Sequence, residues 1–205
     1  MNELTADNLH LWRGEQHVLQ GVALALAAGE CLQVTGANGA GKTTLLRALC
    51  GLVPLEEGRI CWRGCDIQDD LEGFHSALSY LGHDNGLKGD LSVEENLRYA
   101  ARMRHPVSTQ QIAAALARTG VPDIAPQRLR RLSAGQRRRV ALARMALMDA
   151  ALWIMDEPAS NLDTHGQRLV LEMLAAHLQA GGTAVVATHQ DLTLPAGQLR
   201  ALMLT

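Results

Sequence analysis

Apolar residues recur along this chain with two different periods, and the switches between them divide it into parts. Between residues 3 and 28 they form alternating patches: Leu9 and Leu11, Val18 and Leu19, then Val22, Leu24 and Leu26. This spacing predicts two or three antiparallel strands with a turn near Arg13-Gly14-Glu15. Cys31-Leu32-Gln33-Val34-Thr35 is a short strand. A glycine-rich loop follows it, then a helical run over Leu45–Leu49 that Gly51 and Pro54 stop. Gly58–Trp62 and Ala77–Leu81 read as further strands. From His83 to about Leu132 helices and loops take over. Ser92 and Glu95 stand at capping-box spacing and open one helix, and Ser108–Arg118 gives a second. Strand patterns return at Ala151–Met155, Thr183–Ala187 and Leu199–Leu204, with an amphipathic helix over about Asp163–Gln179 between the first two. Strands alternating with helices predict an α/β fold. The expected organisation is a single domain over 1–205, with a core formed by about 1–82 and 150–205 and a helical subdomain inserted over about 83–149.

The length of 205 residues suits one such domain. A net charge of -2 argues against a general nucleic-acid binder, and 3% aromatic residues leave few platforms for stacking single strands. No apolar run approaches the ~20 residues that span a bilayer. Met1–Asp7 does not have the pattern of a signal peptide, so a cytosolic location is expected, with any membrane role exercised through a partner. Cys31, Cys50, Cys61 and Cys65 include no second cluster to complete a zinc set. They are expected to be reduced and mostly buried.

The glycine-rich loop is Gly36-Ala37-Asn38-Gly39-Ala40-Gly41-Lys42-Thr43, followed by Thr44. It fits G-x-x-x-x-G-K-[ST] with a strand before it and a helix after it, the context that the motif demands. Glycines let the backbone wrap phosphates and turn successive N–H groups inward. Lys42 is expected to reach the β- and γ-phosphates of a nucleotide, and Thr43 to ligate Mg²⁺. Asp156 closes a buried strand, where it can hold Mg²⁺ through its water shell. Glu157 follows at the strand's carboxyl end, where a carboxylate can orient and deprotonate an attacking water. His189 ends the next buried strand. Parallel strands deliver their carboxyl ends to one edge, so His189 is expected to face the same γ-phosphate. Taken alone, Glu157 would read as a surface acid and His189 as a structural histidine.

A fourth element is Leu132-Ser133-Ala134-Gly135-Gln136. Ser133 and Gln136 have capping-box spacing, so the stretch opens a helix, and a helix start with small residues offers free N–H groups and a positive dipole end to an anion.

With these motifs in this order, and with Ser160-Asn161-Leu162-Asp163 among them, the chain resembles an ATP-binding-cassette (ABC) nucleotide-binding domain along its whole length. The signature pentapeptide separates that family from other phosphate-loop proteins. The resemblance implies an ABC-type P-loop NTPase with a RecA-like core sheet, an N-terminal antiparallel β part and an inserted helical subdomain. It implies ATP and Mg²⁺ as cofactors, with Lys42, Glu157 and His189 catalytic. It also implies a homodimer in the ATP-bound state, in which Ser133, Gly135 and Gln136 of one subunit cap the γ-phosphate held by the other. Ser160–Asp163 then corresponds to the loop crossing the dimer interface.

Three positions depart from the family pattern. Ala134 replaces the usual middle glycine of the signature, a change of one methyl. His83 stands where a glutamine is expected; its ring nitrogen can serve the metal's water shell, but with a charge that depends on pH. For the aromatic residue that stacks on adenine, Trp12 is nearest, while Arg13 fits the spacing to Val18-Leu19 slightly better.

Within the family, Tyr80-Leu81-Gly82-His83 and Leu129–Arg144 resemble the ATP-binding subunits of cytochrome c maturation systems, often called haem exporters. Only 16 residues follow His189, so a regulatory C-terminal domain is not expected. The resemblance implies integral membrane partners, CcmB-like and CcmC-like. It implies a peripheral location on the cytoplasmic side of the inner membrane, and hydrolysis coupled to release of a haem-loaded chaperone. The residues themselves name no haem ligand: there is no C-x-x-C-H, and the eight histidines are scattered. A soluble cassette acting on DNA or ribosomes is the less expected alternative, because such cassettes usually carry a long coiled-coil insert or a second cassette and these 205 residues show neither. A cassette serving a different exporter stays open. Arg128, Arg130, Arg131, Arg137, Arg138, Arg139 and Arg144 read as a solvated helix face; the alternative puts some of them near the nucleotide or the membrane subunit.

Overall fold

The computed structural model describes residues 2–102 and 104–205. Its elements run, in chain order, β1 (Asn2–Arg13), β2 (Gln16–Ala27), β3 (Cys31–Gly36), α1 (Lys42–Leu49), β4 (Glu57–Trp62), β5 (Cys65–Asp66), α2 (Leu71–Ala77) and β6 (Leu78–Leu81). Then come α3 (Val93–Arg102), α4 (Thr109–Arg118), α5 (Ala134–Leu147), β7 (Leu152–Asp156), α6 (Thr164–Gln179), β8 (Thr183–Ala187) and β9 (Leu199–Leu204). The fold is that of an α/β P-loop NTPase. The chain divides into two compact units. One comprises the chain through Tyr80, Ala151–Glu157 and Leu174–Thr205; the other comprises Leu81–Ala150 and Pro158–Met173.

The first unit holds two sheets. One is a four-stranded sheet in the order β2-β1-β4-β5, antiparallel throughout. The N-terminal region is thus two long strands joined at Gly14-Glu15, with Arg13 opposite Gln16. Leu4 and Ala6 are buried, and so are Leu9 and Leu11. Their parities differ, which a regular strand cannot accommodate on one face. A register shift between Ala6 and Leu9, with Asn8 at φ 50°, reverses the phase and keeps all four on the core side.

The second sheet has the order β6-β7-β8-β3-β9. β7 and β8 are buried at every position, as expected of strands covered on both faces. β3 pairs with β8 and β9, and β7 with β8, all in parallel. Leu45, Leu46, Leu49, Val34, Ile154 and Val185 belong to the core of this unit. Short α2 was not foreseen: Asp70 caps it by accepting from Gly73 N, and it buries one side chain, Phe74.

The second unit is built from α3, α4 and α5 around Val93, Leu97, Ile112, Leu116, Leu129, Leu132 and Val140. α3 starts where the capping box predicted, with Ser92 N donating to Glu95 Oε2 and Glu95 N to Ser92 Oγ. α4 starts in the same way with Ser108 and Gln111.

All four cysteines are free thiols. Cys31 and Cys50 are buried, Cys61 is half-buried and Cys65 exposed, so burial applies to two of the four. Burial pushes the Cys31 thiol up to about 12 and Cys50 higher still. Among the described residues no helix is long and apolar enough to cross a membrane.

Candidate active site

Because β7, β8 and β3 lie side by side and parallel, their carboxyl ends emerge at one edge of the sheet. That edge receives the Gly36–Thr43 loop from β3, Asp156 and Glu157 from β7, and His189 just beyond β8. Gly36 has φ 143°, and a Cβ there would lie 2.5 Å from the carbonyl oxygen of Leu204. Neither the conformation nor the space admits a side chain. α1 begins at Lys42, so the free N–H groups of its first turn and the positive end of its dipole adjoin the loop.

The Lys42 ammonium donates to the carbonyls of Gly36 (2.8 Å) and Ala37 (3.1 Å). The Thr43 hydroxyl donates to Asp156 Oδ2 at 2.7 Å, and Asp156 is only 4% exposed. This places two hard oxygen donors side by side at the end of the phosphate loop, a donor set that suits Mg²⁺.

Glu157 has φ 47°, a left-handed conformation that costs a non-glycine residue on the order of 1–2 kcal/mol. Its N–H donates to Ala187 O at 2.8 Å, extending the ladder past β7 and holding the turn. His189 Nε2 lies 3.4 Å from Lys42 Nζ, 3.2 Å from Asn38 Oδ1 and 3.7 Å from Glu157 Oε1. With a proton on Nε2 the ring donates to Asn38 and faces Glu157. Without it, the same nitrogen accepts from Lys42. One imidazole thus answers to the loop and to the strand-end carboxylate.

Trp12 lies near the end of β1, with 37% of its surface exposed. One face stacks on His17 of β2, with ring centroids 3.7 Å apart and planes 7° from parallel. His17 Nε2 is also 3.0 Å from His10 Nδ1. The sequence reading missed this support. Its signal was the antiparallel pairing of Trp12 with His17 across the hairpin. Arg13 is exposed beside it, opposite Gln16.

Ser133, Gly135, Gln136 and His83 belong to the second unit. Ser133 caps α5: its Oγ accepts from Gln136 N at 3.2 Å, and its own N–H donates to Gln136 Oε1 at 2.9 Å. At Gly135 a Cβ would come within 2.9 Å of Asn161 O, so the helix start and the 158–163 segment approach each other too closely for a side chain. Ala134 is exposed, where one extra methyl meets little. His83 is exposed just after β6.

The arginines do not form one solvated face. Arg128, Arg130 and Arg131 are exposed, with Arg128 and Arg130 bonded to Asp90. Arg138, in contrast, is 1% exposed, and Arg139 donates to Thr119 O and Asp163 Oδ1. The Asp163 carboxyl is held below its ordinary range, first by the Gly166 N–H and then by Arg139. Periodicity could have found Arg138: with Ala141, Leu142 and Met145, all buried, it makes an i, i+3, i+4, i+7 stripe.

The profile of the ABC transporter family matches residues 19–160. A cytochrome c biogenesis ATP-binding export protein CcmA 2 of Cupriavidus metallidurans is 47% identical over 92% of this chain and 90% of its own. The corresponding CcmA of Methylococcus capsulatus is 43% identical over 98% of both chains. A bacterial Atm1-family ABC exporter with ATP bound superposes with a TM-score of 0.86 at 26% identity, covering 98% of this chain and 36% of that one. The ATP-binding subunit of an ABC transporter superposes at 0.83 and 26% identity, over 91% and 79%. The profile covers more than half of the chain and the curated relatives nearly all of it: the chain belongs to the ABC transporter family, as one of its ATP-hydrolysing domains.

Proposed function

We propose that this chain is the ATP-hydrolysing subunit of a membrane exporter of the cytochrome c maturation type, in which hydrolysis drives release of a haem-loaded chaperone. The observation that carries the chemistry is the convergence of Lys42, Thr43, Asp156, Glu157 and His189 on one sheet edge. The names of curated relatives 42–47% identical over almost the whole chain support the exporter assignment.

In this reading the Gly36–Thr44 backbone and Lys42 hold the β- and γ-phosphates, and the adenine ring stacks on the face of Trp12 opposite His17. Arg13 is the other residue the spacing allows. Thr43 and Asp156 hold Mg²⁺, which neutralises charge on the phosphate oxygens when bound; His83 stands at the position that the family resemblance assigns to the metal's water shell. Glu157 takes the proton of the attacking water, and its strained backbone keeps the carboxylate at the strand end. His189 contacts the γ-phosphate and, through Nε2, balances Lys42 against Glu157. Ser133, Gly135 and Gln136 of a second copy close over the γ-phosphate, so the working unit is an ATP-bound homodimer. The cassette sits peripherally on the cytoplasmic side of the inner membrane, against CcmB-like and CcmC-like subunits that handle the haem.

Co-purification from detergent-solubilised membranes, with partners identified by mass spectrometry, tests the assignment. Recovery of a small multi-span membrane protein together with a haem-handling one is the expected result. Recovery of a different transporter's membrane subunit would redirect the exporter assignment, and recovery of ribosomes or DNA would end it.

A further inference from the structure

Arg138 is a guanidinium buried on the apolar stripe of α5, where packing alone would call for a residue like its neighbours Ala141, Leu142 and Met145. A charge is kept in such a place only if its donors are met. Its Nε donates to Pro158 O at 3.1 Å, and its Nη1 donates to Gly82 O at 3.0 Å and Asn85 Oδ1 at 2.9 Å. These acceptors belong to two separate chain segments. Gly82 and Asn85 bracket His83. Pro158 is the residue immediately after Glu157, whose backbone is strained. The helix that carries Arg138 is the one that Ser133 and Gln136 open. The planar fork of donors fixes these directions together, which the single ammonium of a lysine cannot do.

We infer that Arg138 is a positioning residue for hydrolysis: it ties the signature helix to the His83 loop and to the peptide behind Glu157, so that the three move as one body. The inference rests on the roles proposed above for Glu157 and His83. None of the three segments is part of the Gly36–Thr44 loop that holds the nucleotide within one subunit, so the effect falls on turnover more than on nucleotide binding by a single subunit. Neighbouring contacts reinforce the same body. Arg139 holds Asp163, and Arg144 Nη1 donates to Gly86 O at 3.0 Å.

The test compares full-length wild type with Arg138→Lys, Asn85→Ala and Glu157→Gln. It measures kcat and KM for ATP, affinity for a fluorescent ATP analogue, and the melting midpoint. Arg138→Lys is expected to lower kcat by roughly tenfold or more while nucleotide affinity stays within about threefold. Asn85→Ala, which removes one surface-side acceptor, lowers kcat by roughly threefold with the same unchanged affinity. Wild-type kcat in both variants overturns the proposal, as does a parallel fall of kcat, affinity and melting midpoint, which marks a residue that only holds the fold. If Arg138→Lys does not fold, Asn85→Ala decides alone. Glu157→Gln separates the two levels: if it retains full turnover the reading of Glu157 fails, whereas its inactivity beside an unaffected Arg138→Lys removes only the positioning role.

Discussion

The hydroxyl of Thr43 and the carboxylate of Asp156 meet at 2.7 Å. One side chain comes from the first turn of α1 and the other from the end of a buried strand, and the parallel β7-β8-β3 order brings both to the same sheet edge. If this pair holds Mg²⁺, Asp156→Asn should raise the Mg²⁺ concentration required for half-maximal ATPase activity by roughly tenfold. Chelation by EDTA should reduce hydrolysis to background in the wild type. An ATPase titration against free Mg²⁺ checks both, and an unchanged requirement in Asp156→Asn would remove Asp156 from the metal's surroundings.

Glu157→Gln keeps the shape of the side chain and removes its basicity. Nucleotide binding should persist, kcat should fall by roughly a hundredfold or more, and an ATP-dependent dimer should accumulate on size-exclusion chromatography. Undiminished turnover would exclude Glu157 as the base.

Lys42→Ala removes the one ammonium that both loop carbonyls and His189 address. Nucleotide affinity or hydrolysis should be lost, by roughly tenfold or more, with the melting midpoint close to wild type because the side chain is not part of the core. Equilibrium binding of a labelled nucleotide measures this directly, and a variant with full activity would contradict the phosphate-loop reading.

The phosphate loop and the strands other than the two-residue β5 are legible in the sequence because their signals are local. Thr183–Ala187 and Leu199–Leu204 are continuous apolar or alternating runs between turn residues, and the structure gives β8 and β9 those bounds. Other features depend on partners far away in sequence. The phase reversal between Ala6 and Leu9 serves a core face that forms only when β2 and β4 pair with β1. α2 contributes a single buried side chain and so leaves no period to detect. The charge of Arg138 hides its place on the buried stripe, because the carbonyls of Gly82 and Pro158 that make its burial possible lie 56 and 20 residues away.

His83→Gln installs the residue that the family resemblance leads one to expect there. His83 is exposed, so the change should leave stability unaltered and preserve ATPase activity within about threefold. A large loss in steady-state kcat would give the imidazole a role that an amide cannot fill, and a pH–rate comparison of the two proteins would then locate it.

At the opposite end of the central sheet an ion pair makes stability depend on pH. Glu30 precedes β3 and accepts from Arg200 of β9 twice, Arg200 Nε to Oε2 at 3.0 Å and Nη2 to Oε1 at 2.8 Å, and also from Ala27 N at 2.8 Å. The hydrogen bond from Arg200, then that from Ala27, holds the Glu30 carboxyl below its ordinary value of 4.5 against the opposing effect of burial. A carboxylate with a depressed folded-state pKa adds stability at pH above its unfolded value, and that contribution disappears as the pH falls through the folded value. Arg200 is 56% exposed, so solvent screens the pair and its contribution is small. For a chain of this length such a contribution moves the melting midpoint by a few degrees at most. Glu30→Gln keeps the acceptor for Ala27 and removes the charge. Its midpoint should fall below wild type by a constant amount between pH 6 and 8, and the two curves should converge below pH 4.5. Added salt should narrow the gap at neutral pH. A gap that persists unchanged at pH 3 would show that Glu30 contributes through its shape and hydrogen bonds alone, and that the Arg200 ion pair adds nothing to the join between β3 and β9.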